Sequence, residues 1–140
     1  MTQSTGYAIT ALGHVASSGS RAMLIKAIAV ATDLPQPYLA KIIHTLARRG
    51  LVVTRRGVGG GVSLARPPEE ITLLDIATAL DDPLLDQRCM LGAAVCSDER
   101  ACPAHAFWTV YRQEQIDFLR RTTLADIAAF ELSQQAQSAA

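Results

Sequence analysis

No stretch of this chain approaches the roughly 18–20 consecutive apolar residues that a membrane-spanning helix needs, so a helical membrane protein is excluded. The first six residues, Met1–Gly6, lack the basic region and apolar core of a signal peptide, and a soluble cytoplasmic protein is the expectation. Formal net charge is zero and there is little low-complexity sequence. Catalytic patterns are also missing. There is no serine elbow, no Asp/Glu pair placed for acid–base work, and the histidines are scattered at 14, 44 and 105, which leaves little for a small enzyme or a small-molecule substrate. The glycine run Gly57-Val-Gly-Gly-Gly61 is not followed by Lys-Ser/Thr, and a strand rather than a helix comes next, so it is no phosphate-binding P-loop.

With 140 residues, 49% of them hydrophobic, the chain can bury one core and carry a helical appendage. The zero net charge hides an asymmetry. Residues 1–70 hold eight Lys/Arg against three Asp/Glu, a balance of +5, and residues 71–140 reverse it to −5. Nucleic-acid contact confined to the front half would follow; an unevenly charged solvated surface is the plainer alternative.

The front half reads as helix, helix, helix, hairpin. Tyr7, Ala8, Leu12, Val15 and Ala16 recur at helical spacing, with Ser4 or Thr5 as cap. A second helix is expected over 24–32 and is broken by Asp33-Leu-Pro35-Gln-Pro37. The third, over 36–49, places Leu39, Ile42, Ile43 and Leu46 on one apolar stripe and stops at Gly50. Its other face offers Tyr38, Lys41, His44, Thr45 and Arg48, the pattern of a recognition helix in a helix-turn-helix. Leu51–Thr54 and Gly61–Ala65 then flank a basic glycine turn, which makes a β-hairpin wing. A wing needs glycine, here Gly59 among others, so that its backbone can approach the sugar–phosphate chain. It needs arginine, here Arg55 and Arg56, to contact phosphate or enter a narrow minor groove. The expected fold is therefore mainly α, a winged helix-turn-helix over 1–66 with a two-stranded wing. Phosphate contacts are assigned to Lys41, Arg55 and Arg56, and base-edge contacts to Gln36, Tyr38, His44 and Arg48.

Behind a linker at 66–72, Thr72 caps a helix over 73–80. A long helix is expected over 103–121 and a short one over 123–130, with a disordered tail at 133–140. Together 67–132 would form a segment that binds a cofactor and dimerises. The long helix carries more large apolar residues, Trp108 and Phe118 included, than a thin domain can cover. A homodimer would bury them and set two recognition helices on a palindromic double-stranded DNA site.

All three cysteines fall in one segment, Cys89-x6-Cys96-x5-Cys102-x2-His105. In a reducing cytosol such a cluster points to metal or redox chemistry rather than disulfides. The gaps exceed the Cys-x2-Cys spacing of common zinc knuckles without excluding zinc, and they suit a loop around a larger cluster. Pro103 fits the first turn of the long helix, which would put Cys102 at its cap and His105 three residues on, within reach of a shared ligand.

The ordered combination resembles the Rrf-two superfamily of bacterial winged-helix transcriptional regulators (the group of IscR, NsrR and RirA). The matching residues are Tyr7-Ala8, Tyr38-Leu39 with Ile42-Ile43 and Leu46, Gly50-Leu51-Val52, Arg56-Gly57 through Gly60 with Leu64–Pro67, and Ile71-Thr72-Leu73 with Asp75-Ile76. The three cysteines, Trp108 and Thr123–Ile127 complete the set. The resemblance implies a dimeric repressor-type regulator that holds an iron–sulfur cluster on Cys89, Cys96 and Cys102. In one type of member the fourth ligand is a histidine three residues beyond the last cysteine, which His105 matches. In another it is an aspartate just before the first-helix tyrosine, where this chain has Gly6. His105 as fourth ligand implies a [2Fe–2S] cluster. The first gap is one residue longer than that pattern, so [4Fe–4S] stays open, as do a zinc- or thiol-responsive regulator at the same cysteines and an apo-type member acting with an enzyme partner.

Overall fold

The structure, a computed structural model, describes residues 1–19, 21–86 and 103–139. Among the described residues, six helices and one hairpin follow in the order α1 (Gln3–Ser17), α2 (Ile25–Thr32), α3 (Gln36–Arg48), β1 (Val52–Arg55), β2 (Gly61–Leu64), α4 (Leu73–Ala79), α5 (His105–Arg121) and α6 (Leu124–Ala139). Short 3₁₀ turns at Pro68–Glu70 and Pro83–Leu85 flank α4. This is the winged helix-turn-helix expected from the sequence. No described helix is long and apolar enough to cross a membrane.

The apolar stripes read from the sequence become the core. Ala8, Ala11, Leu12 and Val15 of α1 are buried, as are Ile28 and Ala29 of α2 and all four stripe residues of α3. A large aliphatic side chain so buried contributes about 1.5–3 kcal/mol. The core continues without a break into Ile71, Leu73, Ile76 and Ala77, and on to Leu119 and Leu124. The segment expected to be a linker is consequently packed rather than loose: Ile71 is fully buried. Leu73 N donates to Thr122 O and Leu124 N to Ile71 O, each at 2.9 Å. Those bonds tie the two halves of the chain edge to edge.

Several boundaries differ from the sequence reading. The cap of α1 is Thr2, whose hydroxyl accepts from Thr5 N, and not Ser4 or Thr5, which lie inside the helix. Thr72 caps α4 as expected, in a reciprocal box with Asp75, an arrangement worth about 1 kcal/mol. Thr123 and Asp126 form a similar reciprocal pair at the start of α6. The α6 helix runs on through the stretch expected to be a disordered tail, as far as Ala139. Nothing between Phe130 and Ala139 breaks a helix, and Ala, Gln, Glu and Leu favour one. The long helix begins at His105, with Ala104 as its cap residue, two residues later than Pro103.

Helices α1 and α6 cross at Gly13. A Cβ there would collide with Ile127 Cγ2, so hydrogen is the only substituent that fits this approach.

Candidate nucleic-acid interface

The helix-turn-helix is built by α2, a turn and α3. Asp33 closes α2 in the left-handed region at φ 55°, a conformation that Asp tolerates because its short side chain can bond locally. Pro35 then caps α3 and Pro37 occupies its first turn, where the missing N–H costs nothing. With Leu39, Ile42, Ile43 and Leu46 turned inward, Gln36, Lys41, His44 and Arg48 are left exposed on the outer face.

Tyr38 is placed differently from these. Its ring meets that of Tyr7 edge-on, with centroids 5.6 Å apart at 85°, and its hydroxyl lies 2.8 Å from Ser4 Oγ. The side chain expected to read a base edge thus touches α1 while staying 41% exposed.

The wing pairs Val52 with Leu64, Val53 with Ser63, Thr54 with Val62 and Arg55 with Gly61. Met23 adds an isolated bridge: Met23 N donates to Val62 O at 2.9 Å, and Val62 N to Met23 O at 2.7 Å. Gly61, at φ 135°, has the Met23 backbone 2.6 Å from where a Cβ would sit, so glycine is required for the bridge that anchors the wing to the body. Arg55, Arg56, Val58 and Gly59 are exposed, and Gly59 takes φ 75°.

Lys26 of α2, Gln36 of α3 and Thr54 and Arg55 of β1 line one shallow cleft between the helices and the wing. The cleft brings Gln36 and Arg55 together from separate elements. It also adds Lys26, which the sequence reading passed over; its signal was a lysine opposite the buried Ile28–Ala29 pair of an otherwise apolar helix.

Three arginines that are not assigned to DNA are held in ion pairs. Arg49 pairs with Asp81 at 3.3 Å, Arg66 with Asp75 at 3.6 Å and Arg120 with Asp117 at 3.2 Å. Lys26, Lys41, Arg48, Arg55 and Arg56 make no ion pair among the described residues. A cation without an internal carboxylate keeps its full charge for phosphate.

Of the candidate cofactor ligands, Cys89, Cys96 and Cys102 lie outside the described residues. His105 opens α5 and is half-buried. Because α5 starts there, Ala104 is its cap residue. The chain leading to the cysteine segment is fastened in two places. Arg112 of α5 donates to the Leu85 and Asp86 carbonyls at 3.1 and 3.2 Å. Asp82, buried at 3% exposure, accepts from Thr2 N at 2.9 Å and from the Thr5 hydroxyl at 2.6 Å through Oδ2, and from Leu84 N at 2.9 Å through Oδ1. Burial alone would raise its pKa, but the bonds from Thr5, Thr2 and Leu84 outweigh burial and hold the carboxyl below its ordinary value.

On α5 only Leu119 is buried. Phe107, Val110, Tyr111 and Phe118 share one face and are all more than 40% exposed; the Phe107 and Tyr111 rings stack at 5.7 Å.

Comparison with known proteins places these features. A profile of the Rrf2 family, described as an iron-dependent transcriptional regulator, matches residues 1–129. A candidate HTH-type transcriptional regulator of Aquifex aeolicus is 34% identical over 127 residues, covering 89% of this chain and 88% of that relative. The HTH-type transcriptional regulator IscR of Sodalis glossinidius is 30% identical over 132 residues, covering 94% of this chain and 79% of the relative. Among solved structures, CymR, the global cysteine regulator of B. subtilis, superposes with TM-score 0.76 at 29% identity, covering 93% of this chain and 96% of that one. T. potens IscR gives 0.74 at 27%, covering 98% and 90%.

Proposed function

This chain belongs to the Rrf2 family of transcriptional regulators, and on that premise we propose that it binds a palindromic promoter element as a homodimer, with an affinity set by the chemistry of Cys89, Cys96 and Cys102. The observation that carries the DNA reading is the cleft where Lys26, Gln36 and Arg55 converge, on a face whose cations have no internal carboxylate partner among the described residues. Lys26, Lys41, Arg55 and Arg56 contact phosphate; Gln36, His44 and Arg48 read base edges; Tyr38 seats the helix that carries them. The exposed face of α5 supplies the dimer contact, because a stacked aromatic pair with two further apolar residues is a surface that a second copy would cover.

The donor set of three thiolates and one imidazole fits an iron–sulfur cluster, and the likeness to IscR supports it. Cys89, Cys96, Cys102 and His105 would hold it. A bound cluster would supply a centre whose oxidation, nitrosylation or loss reports the state of the cell. Histidine ligation favours [2Fe–2S], and [4Fe–4S] is the alternative. A second reading, thiol chemistry at the same cysteines without a cluster, is favoured by the equally good superposition on CymR, a protein also solved in an oxidised form.

Two measurements test this. Operator affinity at fixed salt should differ between cluster-loaded and apo protein; equal values would remove the sensing role. Anaerobically purified protein should be coloured and contain iron and sulfide, and Cys96→Ala should bleach it. Colour that survives Cys96→Ala overturns the ligand assignment, whereas colourless protein that responds to thiol oxidation selects the second reading.

A further inference from the structure

Asp82 does more than a helix cap requires. The first turn of α1 is already capped by its own Thr2, whose hydroxyl accepts from Thr5 N at 3.2 Å. Asp82, about 80 residues away in sequence, nevertheless takes Thr2 N, the Thr2 hydroxyl and the Thr5 hydroxyl on Oδ2. Its other oxygen, Oδ1, takes Leu84 N and so caps the Pro83–Leu85 turn. That turn is the last described structure before the cysteine segment. One buried carboxylate is thus shared between α1 and the approach to the cysteines. Such an arrangement is costly to half-break, because the orphaned oxygen would stay buried.

The same turn of α1 touches the recognition helix on its other side. Ser4 lies between Thr2 and Thr5 in sequence, and its Oγ meets the Tyr38 hydroxyl at 2.8 Å. One turn on, Tyr7 packs edge-on against the Tyr38 ring and is itself held by Gln3 Nε2, which donates to the Tyr7 hydroxyl at 2.8 Å. Residues 2–7 therefore stand between the approach to the cysteines and the first turn of α3.

We propose that this first turn of α1 is a relay in which Asp82, Thr5 and Ser4 are positioning residues: they pass the state of the cysteine segment to Tyr38 and so to the seating of the recognition helix on DNA. The relay rests on the reading above that the cysteines govern DNA affinity. Its physical content is that two bonded clusters share one rigid helical turn, so a shift of the Pro83–Leu85 turn moves Ser4 relative to α3 rather than being absorbed in solvent.

The test is a coupling ratio: affinity for a labelled duplex from the protein's own promoter region, at fixed salt, compared between full-length protein with intact cysteines, purified anaerobically, and the same protein carrying Cys89→Ser, Cys96→Ser and Cys102→Ser. The parent ratio should be in the range of about 5- to 150-fold that coupled sites show. Ser4→Ala, which removes only a partly exposed hydroxyl, should bring the ratio to within about twofold of one, and Ser4→Thr should restore it. Asp82→Asn should lower the ratio in the same direction. A parent ratio of one overturns the sensing reading and the relay with it. A parent ratio well above one that Ser4→Ala leaves unchanged overturns the relay alone, whatever Asp82→Asn does.

Discussion

Gly13 on α1 lies so close to Ile127 on α6 that a methyl group on the glycine has nowhere to go. Two opposing effects follow for Gly13→Ala. Alanine in a helix interior gains about 0.5–1 kcal/mol over glycine, but overpacking a closed contact costs about 1–3 kcal/mol. The neighbour is a β-branched side chain with little freedom to turn aside, so the clash wins. Gly13→Ala should lower stability by about 1–2 kcal/mol in urea melts. Adding Ile127→Ala should recover part of that loss; strictly additive losses would show that the two residues do not meet.

Asp82 gives a signed pH dependence. Its carboxyl is held below the ordinary value of 3.8, so the native state favours the ionised form. The stability this contributes is present above the unfolded-state pKa and is lost as pH falls through the lower, folded-state value. Asp82→Asn should destabilise the protein at neutral pH and flatten the acid limb of its stability curve below about pH 4. An unchanged acid limb would remove Asp82 as its source.

The cations that make no ion pair among the described residues separate affinity from specificity. Each of Lys26→Ala, Lys41→Ala and Arg55→Ala should weaken operator and random DNA alike and reduce the log–log salt slope by about 0.9. Gln36→Ala, His44→Ala and Arg48→Ala should instead narrow the gap between operator and random DNA, by about 1–3 kcal/mol for a lost base contact. Fluorescence anisotropy across a salt series distinguishes the two classes.

The exposed face of α5 predicts association. Phe118 is 48% exposed, with the Arg121 guanidinium 5.7 Å from its ring centre. Phe118→Glu should raise the dimer dissociation constant at least tenfold, the effect of losing an aromatic anchor worth about 2 kcal/mol, without lowering the monomer's helix content. Sedimentation velocity over a concentration series reads it. A variant that stays dimeric at the lowest concentration would move the interface elsewhere.

Much of this protein was legible in its sequence because periodicity is a local property. Leu39, Ile42, Ile43 and Leu46 had to share a face whatever they packed against, and the two β-branched strands around a glycine turn had to pair as a hairpin. The capping threonine at 72 announced α4 for the same reason. The helix boundary at His105 was less legible, because a difference of one or two residues at a helix end costs little. The continuation of α6 to Ala139 was hidden because a polar, small-residue composition reads as a tail, although it lacks any helix breaker.

The sequence by itself therefore determined most of the elements and the basic front half, and it gathered the three cysteines into one segment. Tertiary structure alone decided which distant residues meet. It brought Lys26 beside Gln36 and Arg55, set Tyr38 against Ser4 and Tyr7, and buried Asp82 under the first turn of α1. Contacts such as these depend on the path of the backbone between residues tens of positions apart, and no local pattern of side chains encodes that path.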